Sequence, residues 1–158
     1  MADEIEAEEE LPDEQNQKVV EQEHLDLKVY TLINQDLSGY VEDIQDSYAR
    51  VRLVTTEAMI ADKRELVHSG FIFSAASFCA AAAINKPNTI LAVAKCNFLA
   101  PIKVGDEIVF EARALHNATR KRNVSVTGTL LGRIKVFESE FSFVVTDKHP
   151  LSLTMQTE

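Results

Sequence analysis

The sequence predicts an α+β fold in which an antiparallel sheet wraps around one long buried helix. Three observations carry that prediction. Residues 68–85 read HSGFIFSAASFCAAAAIN, and between Gly70 and Ile84 only Ser74 and Ser77 are clearly polar. A helix that is apolar all round must be buried on every side. Four consecutive segments after it read as strands. A helix with no polar face does not rest on the outside of a sheet, so the sheet has to curve around it.

The elements follow in chain order. Residues 1–17 hold eight acidic residues and no basic one. Such a segment buries almost nothing and reads as a disordered acidic arm. Residues 18–38 read as a linker helix, on an apolar stripe of Val19, Val20, Leu25, Val29, Leu32 and Ile33. Residues 39–147 form the folded domain. In 48–56, Ala49, Val51 and Leu53 alternate with Arg50, Arg52 and Val54, the pattern of a half-buried strand. Residues 39–45 are its hairpin partner across Asp46-Ser47. A polar connector, 57–66, leads to the helix, which Pro87 stops because proline cannot continue it. Strand 89–99 places Ile90, Ala92, Ala94, Cys96 and Phe98 on one face. Strand 107–115 does the same with Ile108, Phe110, Ala112 and Ala114. Residues 116–122 form a polar, basic loop. Strands 123–131 and 134–145 flank a tight turn at Gly132-Arg133. Residues 148–158 read as a flexible tail. One buried helix wrapped by consecutive antiparallel strands is the hot-dog arrangement.

Composition narrows the function. A chain of 158 residues is one domain with an appendage. The net charge of −9 belongs to the arm, because setting its eight acids aside leaves 17 acids against 16 bases. A near-neutral domain with an acidic arm does not suit nucleic acid, which requires a basic face. No stretch reaches the roughly 20 apolar residues needed to span a bilayer, and no signal-peptide pattern opens the chain. Cys79 and Cys96 lie in apolar stretches, without disulfide or metal-ligand spacing. The expectation is a reduced, cytoplasmic protein with no metal and no membrane or nucleic-acid partner.

The segment VHSGFIFSAASFCAAAAIN resembles the helix signature of the PaaI-like hot-dog thioesterases, with His68, Gly70, Phe73, Ser74, Ala76 and Asn85 in register. The stretch from Leu91 through Phe98 to Pro101, and then Val104-Gly105-Asp106, resembles the strand end and turn of the same proteins. The likeness covers residues 48–145. It extends to the effector domain of the FapR repressors, which sense malonyl-CoA, and to the flagella-co-regulated hot-dog virulence proteins of spiral bacteria. Two departures stand out. Ser69 replaces one glycine of the family's His-Gly-Gly, and Ser77 stands where the catalytic Asp or Glu belongs.

The resemblance implies a thioester site, whose chemistry can be checked residue by residue. Hydrolysis needs a donor that polarises the carbonyl and a carboxylate that activates water or attacks. A helix N-terminus supplies the donor through free N–H groups and its positive dipole end. Gly70 is the implied thioester-carbonyl donor, with Phe71 beside it; a glycine that makes room for a tight helix start is a compatible reading. Ser77 is no general base, and as a nucleophile it would need one. A serine inside an apolar helix commonly bonds back to a carbonyl one turn earlier. A substitute acid would come from Glu57, Glu65 or a second subunit. His68 reads either as the mouth of the site or as the residue that fixes the helix start. Cys79 lacks a partner histidine, and apolar burial raises a thiol pKa. His116 and His149 read as solvated.

The dense basic cluster is Thr119-Arg120-Lys121-Arg122, with Lys95 and Lys103 as weaker additions. Arginine binds phosphate bidentately, so Arg120, Lys121 and Arg122 are either the rest for the coenzyme A phosphates or a solvated hairpin tip. The expected ligand set is therefore His68, Gly70, Phe71, Phe73, Ser77, Phe98, Arg120, Lys121 and Arg122. The acyl chain lies by Phe73, Ser77 and Phe98, and the pantetheine runs past Gly70 toward the basic loop. The ligand is acyl-CoA or CoA, with no separate cofactor. An open sheet edge argues for a homodimer, with assembly to a tetramer left open. Three functions remain: an acyl-CoA-binding regulatory protein with little or no catalysis, an acyl-CoA thioesterase with a displaced acid, and a scaffold without ligand.

Overall fold

A computed structural model describes residues 25–115 and 119–153. Six strands form one antiparallel sheet: β1 (Tyr40–Gln45), β2 (Tyr48–Val54), β3 (Thr89–Phe98), β4 (Glu107–Ala114), β5 (Lys121–Leu130) and β6 (Ile134–Val145). Their order is β1-β2-β4-β5-β6-β3. Among the described residues two α-helices accompany them, α1 (Gln35–Ser38) and the long α2 (Ser69–Ile84). The α2 helix packs mainly on β2, β4 and β5. The predicted architecture is the one found.

The sequence explains each join. Asp46-Ser47 turns β1 into β2, with Ser47 in the left-handed region. Leu131 and Gly132 both have positive φ, and Arg133 N–H donates to the Leu130 carbonyl, closing a tight turn within the three-residue connection 131–133. His68 and Asn85 cap α2 at its two ends, so the predicted helix limits fall on its caps. The floor beneath α2 is aromatic, with Phe110, Phe137, Phe141 and Phe143 fully buried. Gly128 makes that floor possible. A Cβ there would come within 2.9 Å of the Phe110 ring and 3.1 Å of Phe137 Cβ.

Several expectations need correction. The linker helix predicted over 18–38 is absent from 25–34, which runs as turns and extended chain, and only Gln35–Ser38 is helical. Tertiary contacts override the apolar stripe there: Val29 is fully buried, and Asn85 clamps the backbone on either side of Leu27. Residues 18–24, the acidic arm and 154–158 lie outside the described residues, as does His116. The connector is less irregular than expected, with a 3-10 turn at Glu57–Met59 and an Ile60–Val67 bridge. Lys121 and Arg122 belong to β5 rather than to the loop before it. The start of the tail holds a 3-10 turn, Pro150–Ser152. In β3 the register shifts between Leu91 and Val93. Leu91 therefore replaces Ile90 and Ala92 on the face that Ala94, Cys96 and Phe98 share.

The Asn85 clamp has a measurable weight. Its left-handed backbone (φ 52, ψ 47) ends the helix, its Oδ1 accepts from Lys28 N–H at 2.7 Å, and its Nδ2 donates to the Asp26 carbonyl at 2.7 Å. Asn85→Ala removes both bonds and strains the cap, so unfolding should become about 2–3 kcal/mol easier. Asn85→Gly should recover part of the loss by relieving the backbone alone. Equilibrium urea denaturation of the three proteins measures both.

Candidate functional site

The site is built around the first turns of α2. From Phe78 to Ile84 every residue of the helix is buried. Before that, burial is one-sided: Ile72, Ala75 and Ala76 face the sheet, while Phe71, Phe73, Ser74 and Ser77 are only half-buried and Gly70 is exposed. The expectation of burial on all sides thus fails over the N-terminal half. The sheet passes under this part of the helix and leaves one flank open toward β6 and β3.

Two loops fix the helix start. His68 N–H donates to the Met59 carbonyl at 3.0 Å, and Val67 N–H donates to Ile102 at 2.8 Å. Thr55 Oγ1 donates to the Asp106 carbonyl at 2.6 Å. The Asp106 carboxylate accepts from Lys103 N–H at 2.9 Å, so the Val104-Gly105-Asp106 turn supports the site without lending it an acid. His68 itself is the N-cap, its Nδ1 accepting from Gly70 N–H at 3.1 Å. A Cβ on residue 70 would come within 2.7 Å of that nitrogen. Glycine and imidazole therefore form a matched pair, and the amide expected to polarise a carbonyl is already engaged. A ligand carbonyl reaches Gly70 N–H only by displacing the His68 ring.

On the open flank, Phe73 meets Phe141 edge-on with ring centroids 5.8 Å apart, and Phe98 meets Phe137 at 5.2 Å. Ser77 Oγ donates to the Ser74 carbonyl at 3.1 Å, the local bond expected of a serine in an apolar helix. Ser74 Oγ in turn shares a 2.8 Å hydrogen bond with Ser38 Oγ of α1. Among the described residues, no strand position facing α2 carries a carboxylate. Glu107, Glu111, Glu138 and Glu140 alternate with the buried residues and point the other way. Glu57 and Glu65 are exposed on the connector, and Glu65 faces Lys103 at 3.6 Å.

The basic triplet is not part of this cluster within one chain. Phe98 pairs with Phe137, near the helix start, whereas Lys121 pairs with Val144, seven residues further along β6. At the usual strand rise that is about 23 Å. Arg120 pairs with Asp147 at 2.8 Å, and Arg122 Nε donates to the Thr119 carbonyl at 3.0 Å. The path expected from Gly70 to Arg120, Lys121 and Arg122 therefore does not exist inside a single subunit. Strand order is the reason: the β4–β5 turn lies at the helix C-terminal end of the sheet.

One polar group went unnoticed in the sequence. Ser139, between Phe137 and Phe141 on the floor and paired with Cys96, is 6% exposed, and its Oγ has no hydrogen-bond partner. The alternation in FESEFSF is the signal that could have found it. Cys79 is fully buried; its Sγ lies 3.4 Å from the Ala49 and Phe110 carbonyls, and burial pushes its pKa far up. Burial also raises the Cys96 thiol, which remains half-exposed on β3.

The thioesterase superfamily profile matches residues 65–131. A solved sigma28-regulated virulence protein of Campylobacter jejuni is 38% identical, with a TM-score of 0.75 over 79% of this chain and 98% of that one. The methylthioribose-1-phosphate isomerase of Aquifex aeolicus is 46% identical over 117 residues, which are 74% of this chain and 25% of that protein. The transcription factor FapR of Caldanaerobacter subterraneus is 29% identical over 72% of this chain and 54% of its own length. The chain thus spans a quarter to about half of these two curated relatives. Two streptococcal proteins share the fold at 15% and 19% identity. A hypothetical thioesterase of Streptococcus pneumoniae was solved with coenzyme A (TM-score 0.63, 70% of this chain and 87% of that one). A Streptococcus mutans protein was solved with acetyl CoA (TM-score 0.67, 80% of this chain and 98% of that one).

Two measurements check the interior of the site. Ser139→Ala removes a buried hydroxyl without a partner and should leave stability unchanged or raise it by about 1 kcal/mol; a loss in thermal unfolding would reveal a partner. In the native state iodoacetamide should label Cys96 and spare Cys79. The unfolded Cys79 thiol ionises near its ordinary pKa of about 8.5 while the folded one stays protonated. Its contribution to stability is therefore complete below that pH and declines as pH rises above it, which urea titrations of wild type and Cys79→Ala between about pH 7 and 10 would resolve.

Proposed function

Because the chain belongs to the thioesterase superfamily and carries its hot-dog fold, we propose that it binds an acyl-CoA as a homodimer, with little or no hydrolysis and a regulatory role. The observation that carries this reading is the open flank of α2 with no carboxylate on it. Ser77, at the position of the family acid, is held by the Ser74 carbonyl. A helix start can orient a thioester carbonyl, but without a base no water is activated.

The ligand class is supported by the coenzyme A and acetyl CoA held by the two streptococcal neighbours. The acyl chain lies beside Phe73, Ser77 and Phe98. The thioester oxygen takes the Gly70 N–H from His68, and Phe71 flanks it. The exchange replaces one hydrogen bond by another, so it costs little in net free energy.

The dimer is supported by the exposed edge of β3. This is an edge strand, and Val93, Phe98 and the adjoining Leu99 are 50%, 47% and 48% exposed. Such an edge invites pairing. Antiparallel pairing of β3 with its own copy closes the edge and turns the second subunit end for end. In that arrangement Arg120, Lys121 and Arg122 of the partner subunit, at the start of its β5, come to the side of this subunit's helix start, where the phosphates of the ligand need them. The regulatory role is supported by the likeness to the transcription factor FapR.

Native mass spectrometry and a free-thiol assay with a panel of acyl-CoAs test the reading. The purified protein should carry a CoA thioester and release thiol no faster than background. Ser77→Asp should raise turnover by about 100-fold. Wild-type turnover that disappears on Glu57→Gln or Glu65→Gln would overturn the non-catalytic reading in favour of a displaced acid.

A further inference from the structure

The end of the sheet at which α2 finishes is strongly basic. Lys28, Lys86, Arg120, Lys121, Arg122 and Lys148 gather there through contacts that can be followed. Asn85 holds residues 26–28. The Asn88 carbonyl accepts from Thr146 N–H at 2.9 Å, and its amide donates to the Asp147 carbonyl at 3.2 Å. Val145 N–H donates to the Arg120 carbonyl at 2.8 Å. Three acids accompany them: Asp26 pairs with Lys28, Asp147 with Arg120, and Asp46 lines the cleft beside Lys86, so the six cations keep an excess of three. The described residues carry 15 Lys and Arg against 14 Asp and Glu. The body is almost neutral, and six of these 15 basic side chains lie at this end, where they outnumber the acids beside them.

The chain also enters the fold at this end. Leu25 lines a cleft of about 400 Å³ together with Ile44, Ala83, Ile84 and Lys86. The 24 residues before it hold ten acidic side chains and one lysine. A block of like charge tethered beside its opposite is at an effective concentration of about millimolar, enough for a weak ionic contact to be well populated. We propose that the acidic arm, residues 1–24, docks on this basic rim and competes there with phosphate-bearing ligands. The docking stands on charge and tethering alone. The competition rests on the coenzyme A reading above, since the same rim would hold its phosphates.

Zero-length cross-linking of the full-length protein tests this. A water-soluble carbodiimide condenses a carboxylate with a nearby lysine amine into an amide, and peptide mass spectrometry reads the pairs. At low salt the arm should couple to Lys28, Lys86, Lys121 and Lys148 at least about fivefold more than to Lys63, Lys103 and Lys135 at the opposite end, and the preference should vanish near 0.5 M NaCl, where the Debye length is only about 4 Å. An even spread over all lysines, or a pattern that salt does not change, would overturn the docking. Inorganic pyrophosphate at millimolar concentration should suppress the rim cross-links. If it leaves them intact the competition is overturned while the docking stands, and a protein that carries no CoA thioester leaves the cross-linking result unaffected.

Discussion

The contact between the alanine-rich back of α2 and the aromatic floor of the sheet is the constraint on which the rest of the molecule depends. Ala75, Ala76 and Ala80 to Ala83 are buried on a helix of 16 residues. Their small side chains let the sheet approach closely. The space that closeness leaves is filled by Phe110, Phe137, Phe141 and Phe143, and Gly128 lets the first two rings meet at 5.9 Å. Interiors of this kind are packed like crystals, so a change of one methyl group is felt. The strand register, the turns and the caps all serve to hold one slim helix against one thick floor.

That packing also sets the terms of the chemistry. A carboxylate facing so apolar a floor would be desolvated and held protonated unless it were paired. The helix carries Ser77 on its open flank, whose hydroxyl is satisfied within its own helix. The helix start keeps its polar backbone, but a histidine covers it. What remains is an open helix flank without a carboxylate among the described residues, with the first free amide of the helix covered by its own cap.

Much of this was legible in the sequence, for physical reasons that differ by element. The long helix announced itself because an apolar run bounded by His68 and Asn85 has few alternatives. β2 and β4 were legible because one of their faces is buried and the other wet, which gives strict alternation. β3 was misread because alternation says nothing about a bulge, and the shift near Ala92 moved its faces by one residue. The stripe from Val29 to Ile33 looked helical, yet Val29 is buried and Tyr30 donates to the Thr89 carbonyl 59 positions away. No local pattern encodes a contact of that range. The separation of the basic triplet from Gly70 was hidden for the same reason, since it follows from strand order rather than composition.

The Asn85 clamp has a mechanical consequence. Two short hydrogen bonds from its side chain, with the Tyr30 hydroxyl on Thr89, join the first described stretch of the chain to the end of α2 and the start of β3. A pull on the first described residues is therefore shared between Asn85, which ends the helix, and the start of β3 through Tyr30. The joint works as a strain relief: a load applied through residue 25 arrives at the helix C-terminus, about 22 Å along the axis from the capped amide of Gly70 at about 1.5 Å per residue.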